Sequence, residues 1–322
     1  MHGIVLSSGD VHVANDLAEP TPRDGESKVR VLQAGVCATD LALQRGYMGF
    51  RGVPGHEFVG IAETGPLAGQ RVVGEINAAC GACATCRDGL GRHCPKRTVL
   101  GILNHGGAFA EALCLPHENL LAVPDEVSDD QAVFTEPLAA AYEIVEQVDV
   151  SSFERLLVVG DGRLGLLCAQ VLAAHRGSNA DAVELFGRHP QRQAILPEAV
   201  RHRGDGLRAA LEAGERWGLV VEATGSPEVF PQALRVVRPR GTLVLKTTAE
   251  RPVTLDLAPL VVDEIQVVGS RCGPFAPALR ALAERRVQVE GLIHARYPLQ
   301  EGARAFEQAG RPGTLKVLID VR

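Results

Sequence analysis

The feature that most constrains this chain is a glycine-rich loop between a short apolar strand and an amphipathic helix. Residues 155–159 read Arg-Leu-Leu-Val-Val, and Gly160, Gly162 and Gly165 follow in the order Gly-Asp-Gly-Arg-Leu-Gly. Over 164–172, apolar residues then recur at the spacing of one helical face. A strand, this loop and a helix are the context in which G-x-G-x-x-G binds the pyrophosphate of a dinucleotide. The alternative is a glycine-rich turn that binds no ligand.

The sequence after residue 136 alternates strands with helices. Beyond the first strand, further strands are predicted by apolar runs at 182–186, 219–223, 242–246 and 265–269. Strands that alternate with helices form a parallel sheet with helices on both faces. We therefore predict an α/β fold whose residues 136–270 form a Rossmann nucleotide-binding domain with a doubly wound parallel sheet.

The rest of the chain is rich in short strands that end at turn residues. Strands are predicted by the runs at 28–34, 56–65, 70–76 and 107–115. A helix around 278–286 and a closing strand at 315–321 follow the Rossmann region. Short strands broken by turns are typical of a small barrel or sandwich. We assign residues 1–135 and 271–322 to this β-rich domain.

Length, charge and cysteine usage exclude several classes of protein. The 322 residues are enough for two domains with large cores. A net charge of −6 gives little support for binding a nucleic-acid backbone. No apolar run reaches the roughly 18 residues of a membrane span, and the first residues lack the order of a secretory signal. With eight cysteines in such a chain, we expect a cytoplasmic protein whose thiols are free to bind metal.

Four of the cysteines form the pattern Cys80-x2-Cys83-x2-Cys86-x7-Cys94. Four thiolates suit tetrahedral zinc, and such a zinc is structural because no coordination position stays open. One alternative is an iron–sulfur cluster, although its bacterial motif places the next cysteine after three residues instead of seven. The other alternative is a chance grouping of unpaired cysteines.

Five motifs follow one another along the chain. They are GVCATD at 35–40, PGHEFVG at 54–60, the four-cysteine loop, FTEPLAAA at 134–141 and GDGRLG at 160–165. In this order they resemble the zinc-dependent medium-chain alcohol dehydrogenases, in the branch of polyol, glucose and threonine dehydrogenases. The resemblance extends from about residue 28 to TLKVLI at the C-terminal end. It implies that the β-rich domain is GroES-like and catalytic.

The resemblance also implies a second, catalytic zinc. In this family a cysteine, the histidine of the GHE motif and a carboxylate bind that zinc. By motif these correspond here to Cys37, His56 and either Glu57 or Glu136, and polyol- and glucose-dehydrogenase-like branches use both glutamates. A cysteine, a histidine and a carboxylate leave a fourth position open for the substrate oxygen.

A proton relay is implied next to this zinc. Thr39 stands where the family places a hydroxyl that relays the proton of the alcohol, so Thr39, Cys37 and His56 are the expected catalytic residues. Asp40 matches a recurrent aspartate that we interpret as orienting. Many members continue the relay with a histidine five residues after the cysteine, but this chain has Ala42 there, which leaves the onward route of the proton open.

The predicted cofactor site extends beyond the glycines of the loop. The Glu-Ala-Thr-Gly-Ser stretch after the fourth predicted strand brings Thr224 to the edge of the sheet where a dinucleotide crosses it. Lys316 matches a family position whose basic residue contacts the pyrophosphate. From the loop and these two positions, the expected contacts are Gly160, Gly162, Arg163, Leu164, Gly165, Thr224 and Lys316.

The end of the second Rossmann strand distinguishes NAD from NADP. An acidic residue there chelates the ribose hydroxyls of NAD, but this chain has Gly187, followed by Arg188, His189 and Arg192. Glu184 lies too early in the strand to reach the ribose. Because a guanidinium binds a 2′-phosphate through paired hydrogen bonds, we predict NADP(H), with NAD(H) and a merely solvated basic turn as alternatives.

Together these features predict an NAD(P)-dependent alcohol dehydrogenase with two zinc ions per chain. It would transfer a hydride between a small alcohol, sugar or polyol and the cofactor, as a homodimer or homotetramer. One alternative is a zinc-independent quinone or enoyl reductase of the same superfamily, which would lose the zinc ligands. The other is a non-catalytic cofactor-binding relative, which would have no reason to keep Thr39 with those ligands.

Overall fold

A computed structural model describes residues 1–176, 182–248 and 251–322 of the chain. It divides into two compact units. The first contains Met1–Glu136, Phe275–Arg285 and Val289–Arg322, and the second contains Pro137–Pro274 and Arg286–Gln288. The chain therefore leaves the first unit and returns to it after the second. Within the described ranges, no helix is both long and apolar enough to cross a membrane.

The first unit is built mainly from short strands. Its strands are β1 Gly3–Ser7, β2 Asp10–Ala14, β3 Glu26–Val36, β4 Glu57–Ala62, β5 Arg71–Gly74, β6 Asn77–Ala78, β7 Thr98–Val99, β8 Ala112–Pro116, β9 Leu120–Ala122, and, from the returning segment, β16 Ile293–Pro298 and β17 Lys316–Asp320. Its helices are α1 Ala38–Gln44, α2 Ala84–Arg87, α3 Asp129–Ala132, α9 Phe275–Ala283 and α10 Gly302–Gly310, and helix α4, Thr135–Gln147, begins at its end. Short strands with brief helices match the β-rich prediction.

One sheet of the first unit brings three predicted site positions to the same end. Its strand order is β16-β17-β3-β4-β5-β9, and β8 also pairs with β3. The antiparallel registers place Gly35 opposite Glu57 and Val36 opposite Val317. The end of β3, the start of β4 and the start of β17 therefore meet, because antiparallel neighbours run in opposite directions.

The second unit holds a six-stranded parallel sheet. Its strands are β10 Leu156–Val159, β11 Val183–Phe186, β12 Val200–His202, β13 Trp217–Glu222, β14 Val237–Leu245 and β15 Gln266–Gly269, and its helices besides α4 are α5 Arg163–Arg176, α6 Leu207–Glu212, α7 Phe230–Arg235 and α8 Ala258–Val262. The strand order is β12-β11-β10-β13-β14-β15. Counted within the unit this is 3-2-1-4-5-6, the order of the dinucleotide-binding fold. Buried residues of this unit, among them Leu157, Trp217 and Leu243, form its core.

Two predicted elements are shifted in the structure. The strand predicted at 107–115 begins only at Ala112, because the backbone N–H groups of residues 107–109 donate to carbonyls of residues 53–55. The helix predicted around 278–286 spans Phe275–Ala283, with Pro277 in its first turn, where proline is tolerated. Both shifts reflect pairing and proline geometry that apolar periodicity does not report.

Candidate active site

Three of the predicted zinc ligands lie together in the first unit. Cys37 directly follows β3, and His56 and Glu57 lie at the start of β4. One ligand atom from each lies within 4.8 Å of the others. His56 and Glu57 are buried, and Cys37 is partly exposed. The group is therefore closed on its protein side and accessible at the thiol.

Asp40 fixes the backbone around this group. Its buried carboxylate accepts hydrogen bonds from the backbone N–H of Cys37 at 2.7 Å and of Gly55 at 3.1 Å. The same carboxylate lies 3.5 Å from Nδ1 of His56. Burial by itself would lower the pKa of His56, but Asp40 and Cys37 hold that pKa well above its usual value. Asp40 is thus an orienting residue, as the motif implied.

Two buried polar atoms of the group have no hydrogen-bond partner among the residues that the structure describes. They are Nδ1 of His56 and Oε1 of Glu57. Because Nδ1 of His56 faces the Asp40 carboxylate at 3.5 Å, Oε1 of Glu57 is the atom whose missing partner points to an ion: buried polar atoms in proteins are almost always satisfied. A thiolate, an imidazole and a carboxylate are also a donor set that suits zinc. The three residues therefore fit a zinc ion.

The other oxygen of Glu57 forms a buried ion pair with Lys316. The Lys316 ammonium, on the first residue of β17, contacts Oε2 of Glu57 and lies 5.7 Å from the centre of the Phe134 ring. Gly35 leaves the space for this pair, since a Cβ there would lie 2.5 Å from Oε2 of Glu57. Sequence reasoning gave Lys316 a different role, and its contact with pyrophosphate stays a prediction.

Glu136 and Thr39 are near this group without belonging to it. Glu136 is not among the residues whose ligand atoms cluster with Cys37 within the described chain. Burial raises the pKa of Glu136 to about 7, and the carboxylates of Glu57 and Glu75 add to the shift. The Thr39 hydroxyl lies 3.8 Å from the sulfur of Cys37, where it can also reach a substrate held at the thiol.

The four-cysteine loop has the dimensions of a zinc site. The sulfur atoms of Cys83 and Cys86, and those of Cys94 and Cys80, are 3.5 Å apart, and the other measured separations are 3.7 and 4.0 Å. Zinc–sulfur bonds of about 2.3 Å in a tetrahedron place the sulfurs about 3.8 Å apart. A 4Fe–4S cluster, the type bound by the bacterial ferredoxin motif, would bind each thiolate to a different iron and hold the sulfur atoms farther apart. The loop therefore fits one tetrahedral zinc.

Backbone amides also prepare this loop for a cation. Hydrogen bonds from the N–H groups of Ala82 and Cys83 lower the pKa of Cys80 to about 6. Hydrogen bonds from the backbone N–H groups of Cys80 and Lys96 similarly lower the pKa of Cys94. A thiolate is the form that binds metal, so two of the sulfurs are favoured in the ligand form.

In the second unit, the glycine-rich loop connects β10 to α5. A Cβ at Gly160 or Gly165 would overlap the protein itself, at 2.7 Å from the carbonyl of Ala223 and 1.8 Å from that of Gly160. A Cβ at Gly162 would meet nothing within 4 Å. No described protein atom therefore requires a glycine at 162. Close approach of a dinucleotide phosphate is the physical reason for one, so the loop fits the cofactor.

The other predicted cofactor residues of this unit occupy the same edge of the sheet. Arg163 and Leu164 begin α5 and are half-buried. Thr224 follows β13, where its backbone N–H donates to Glu222 at 2.8 Å. Glu184, in β11, is occupied elsewhere, since it accepts hydrogen bonds from Arg155 and from the indole of Trp217. It is not available to a ribose.

Sequence reasoning missed Asp161, which organises the end of β11. Burial alone would raise the pKa of this carboxyl, but hydrogen bonds from His189 and His202 and the charge of Arg192 hold it below its usual value. Arg188, in contrast, is exposed and forms no ion pair within the described residues. The aspartate in the Gly-Asp-Gly sequence was the available signal, but its partners lie far along the chain.

Comparison with known families matches both units. A model of the alcohol dehydrogenase GroES-like domain matches residues 23–125, and a model of the glucose dehydrogenase C-terminus matches residues 129–321. The chain belongs to the zinc-type medium-chain alcohol dehydrogenase family. The predicted family is thereby confirmed, and so is the fold class of a GroES-like unit with a Rossmann unit.

Individual alcohol dehydrogenases are similar to this chain over nearly its full length. Sorbitol dehydrogenase of Halalkalibacterium halodurans is 28% identical, over 94% of this chain and 93% of that protein. A protein of Sinorhizobium meliloti 1021, described as a zinc-binding dehydrogenase and solved with NADP, superposes with a TM-score of 0.89 at 25% identity over 99% of both chains. The short chain alcohol dehydrogenase of Escherichia coli CFT073, solved with NADH, superposes with a TM-score of 0.88 at 25% identity. The match covers 100% of this chain and 99% of that one.

Proposed function

We propose that this chain is a zinc-dependent alcohol dehydrogenase that transfers a hydride between an alcohol, sugar or polyol and a nicotinamide cofactor. The observation that carries the proposal is the group of Cys37, His56 and Glu57, in which Oε1 of Glu57 is buried and has no hydrogen-bond partner among the described residues. Membership of the family, and the similarity to a sorbitol dehydrogenase, support the reaction and the polyol class of substrate. The relatives solved with NADP and NADH support a nicotinamide cofactor.

Cys37, His56 and Glu57 would hold the catalytic zinc, and a bound zinc polarises the substrate oxygen and lowers the pKa of the alcohol. Asp40 faces Nδ1 of His56, so we assign Nε2 of that ring to the metal. Lys316 holds one oxygen of Glu57 and leaves the other to the metal. His56 and Glu57 therefore each have a partner that fixes the orientation of the side chain.

Thr39 takes the proton of the alcohol in this scheme. Its hydroxyl is close to the sulfur of Cys37 and the residue is half-buried, so the hydroxyl would be able to reach both a substrate held at the thiol and solvent. Ala42 offers no acceptor, and we therefore propose that Thr39 passes the proton directly to water. The glycine-rich loop of the second unit would hold the pyrophosphate of the nicotinamide cofactor, which would supply the hydride acceptor.

We further propose that Cys80, Cys83, Cys86 and Cys94 hold a second, structural zinc. The sulfur separations support it, since they match the edges of one tetrahedron. The cytoplasm is the proposed location, because all eight cysteines are free thiols. A zinc-independent reductase of the same superfamily would have no use for either cysteine-containing group.

The proposed assembly is a homodimer or homotetramer joined at the edge of the parallel sheet. β15 is an edge strand, and unpaired backbone groups on such a strand are a template for pairing with another chain. Val261 and Val262 of the preceding helix are each 77% exposed, and Leu257 is 61% exposed. A two-fold axis would pair β15 with its copy and cover these side chains.

Two measurements test the function. Elemental analysis of the purified protein should give two zinc ions per chain, and a panel of sugars, polyols, threonine and simple alcohols should reveal oxidation with NADP+ or NAD+. The matched control is Cys37→Ser, which should lose one zinc and all turnover while its cofactor affinity stays the same. Full turnover in zinc-free Cys37→Ser protein would contradict the zinc mechanism.

A further inference from the structure

Gly187 and Asp161 compete for the same space at the end of β11. A Cβ at position 187 would lie 2.2 Å from Cγ and 2.3 Å from Cβ of Asp161. Real Cβ atoms do not approach other atoms so closely. An acidic residue at 187, the position from which one chelates the ribose hydroxyls of NAD, is therefore incompatible with Asp161 where it stands.

Asp161 cannot replace the missing acid, because donors already surround its carboxylate. The backbone N–H of His189 donates to Oδ2 at 2.7 Å, and Nδ1 of the same residue lies 3.1 Å from Oδ1. His202 adds Nε2 at 3.1 Å, and the Arg192 guanidinium lies 3.3 Å from Oδ1. A carboxylate has about four acceptor sites, and these four groups fill them.

The histidine behind Asp161 is held in one tautomer. Nδ1 of His202 accepts a hydrogen bond from the backbone N–H of Gly204 at 3.0 Å. Nε2 therefore carries the hydrogen and donates it to Asp161. The side chain of His202 is fully buried, so no water or ligand displaces this donor. The contact ties the glycine-rich loop after β10 to the last residue of β12.

The two arginines of this turn differ in whether an acidic group compensates their charge. Arg192 is buried and lies against Asp161, with a further hydrogen bond to the backbone carbonyl of that residue. Its charge is thereby compensated. Arg188 follows Gly187 directly, is exposed and forms no ion pair in the described part of the chain. One uncompensated guanidinium thus borders the place where the adenosine ribose would lie.

We propose that Asp161 is a positioning residue that sets the cofactor preference of this enzyme to NADP(H). From the glycine-rich loop it excludes an acid at position 187, and it fixes the Gly187–Arg192 turn so that Arg188 alone meets the 2′-phosphate. The inference rests on the proposed function, because it names the cofactor that the proposed reaction uses.

The experiment exchanges the two residues. Asp161→Gly/Gly187→Asp moves the carboxylate from the loop to the end of β11 and keeps both composition and net charge. The single variants Asp161→Gly and Gly187→Asp are the matched controls. Isothermal titration with NADP+ and with NAD+ gives two dissociation constants for each protein, and melting temperatures without cofactor check that each one folds. The readout is the ratio of the constants, which a general loss of structure would leave unchanged.

We expect the parent protein to bind NADP+ at least tenfold more tightly than NAD+. The exchange variant should reverse this preference, whereas Gly187→Asp alone should gain no affinity for NAD+, because its new side chain meets Asp161. If Gly187→Asp alone reverses the preference as fully as the exchange does, Asp161 is not the obstacle and the proposal is overturned. It is also overturned if the exchange variant folds and still prefers NADP+.

A second variant does not depend on the exchange protein folding. Arg188→Ala should weaken NADP+ binding by roughly ten- to a hundredfold, as expected for a lost charge-assisted hydrogen bond, and change NAD+ binding less than twofold. Equal loss for both cofactors overturns the proposal. A parent protein that binds NAD+ more tightly overturns it as well but leaves the dehydrogenase function intact, whereas a parent that binds neither cofactor overturns the proposed function itself.

Discussion

The buried ion pair between Lys316 and Glu57 makes a prediction that separates the metal-free from the metal-bound enzyme. Lys316→Met removes the ammonium but keeps a long apolar side chain to pack against Phe134. In the metal-free protein the Glu57 carboxylate then has no compensating charge. In the zinc-bound protein the cation supplies that charge, so we expect the variant to lose much less stability there.

The size of the effect follows from burial. Both side chains of the pair are 1% exposed, and removing one partner of a buried ion pair costs about 3–5 kcal/mol. In a unit of about 180 residues, each 1 kcal/mol shifts the melting temperature by roughly 2–4 °C. Metal-free Lys316→Met should therefore melt about 6–20 °C below the metal-free parent.

Calorimetric melting of parent and variant, each with a chelator and with added zinc, measures this directly. The control Glu57→Gln/Lys316→Met removes both charges of the pair and should recover most of the lost stability without metal. Two results contradict the reasoning. One is a metal-free variant that melts within 2 °C of the metal-free parent. The other is a decrease in melting temperature that is as large with zinc as without it.

Three further predictions concern the cysteine loop, the proton relay and acid stability. Cys94→Ala should remove one zinc per chain and lower the melting temperature without changing cofactor affinity, because metal binding holds that loop folded; an unchanged melting temperature with one zinc fewer would contradict this. Thr39→Ala should lower kcat by about 10²–10⁴-fold, the usual contribution of a proton-transfer group, and leave the zinc content at two, which elemental analysis checks. Hydrogen bonds from Arg203 and Arg155 lower the pKa of Glu215 to about 2, so its stabilising effect is complete above the unfolded pKa near 4.3 and is lost as the pH falls toward 2. Glu215→Gln should therefore lower the melting temperature at pH 7 and have little effect near pH 2.

Local patterns in the sequence were enough to predict the architecture of both units. The strand, glycine loop and helix around Gly160 lie within twenty residues, so their chemistry could be predicted without knowing the rest of the fold. The parallel sheet followed from alternating strands and helices. Predicted boundaries moved where non-local pairing decides them, as at Ala112, whose preceding residues donate to a loop some fifty positions earlier.

Contacts between residues far apart in the chain could not be predicted from the sequence. Asp161 was visible in the Gly-Asp-Gly motif, but its partners His189 and His202 are 28 and 41 positions away. Glu57 and Lys316 are 259 positions apart. Pattern and propensity describe neighbours along a chain, whereas these pairs depend on which strand ends meet.

The place of β17 has a consequence for how the protein is made. This strand lies between β3 and β16 in the sheet of the first unit, but a ribosome synthesises it only after the entire second unit. The Rossmann unit can fold while translation continues, since domains generally fold as units during synthesis. Until Lys316 leaves the ribosome, residues 33–36 of β3 lack the strand they pair with, and Glu57 has no ammonium partner. We therefore expect the group of Cys37, His56 and Glu57 to mature only after the second unit has been synthesised, and to bind its proposed metal after that.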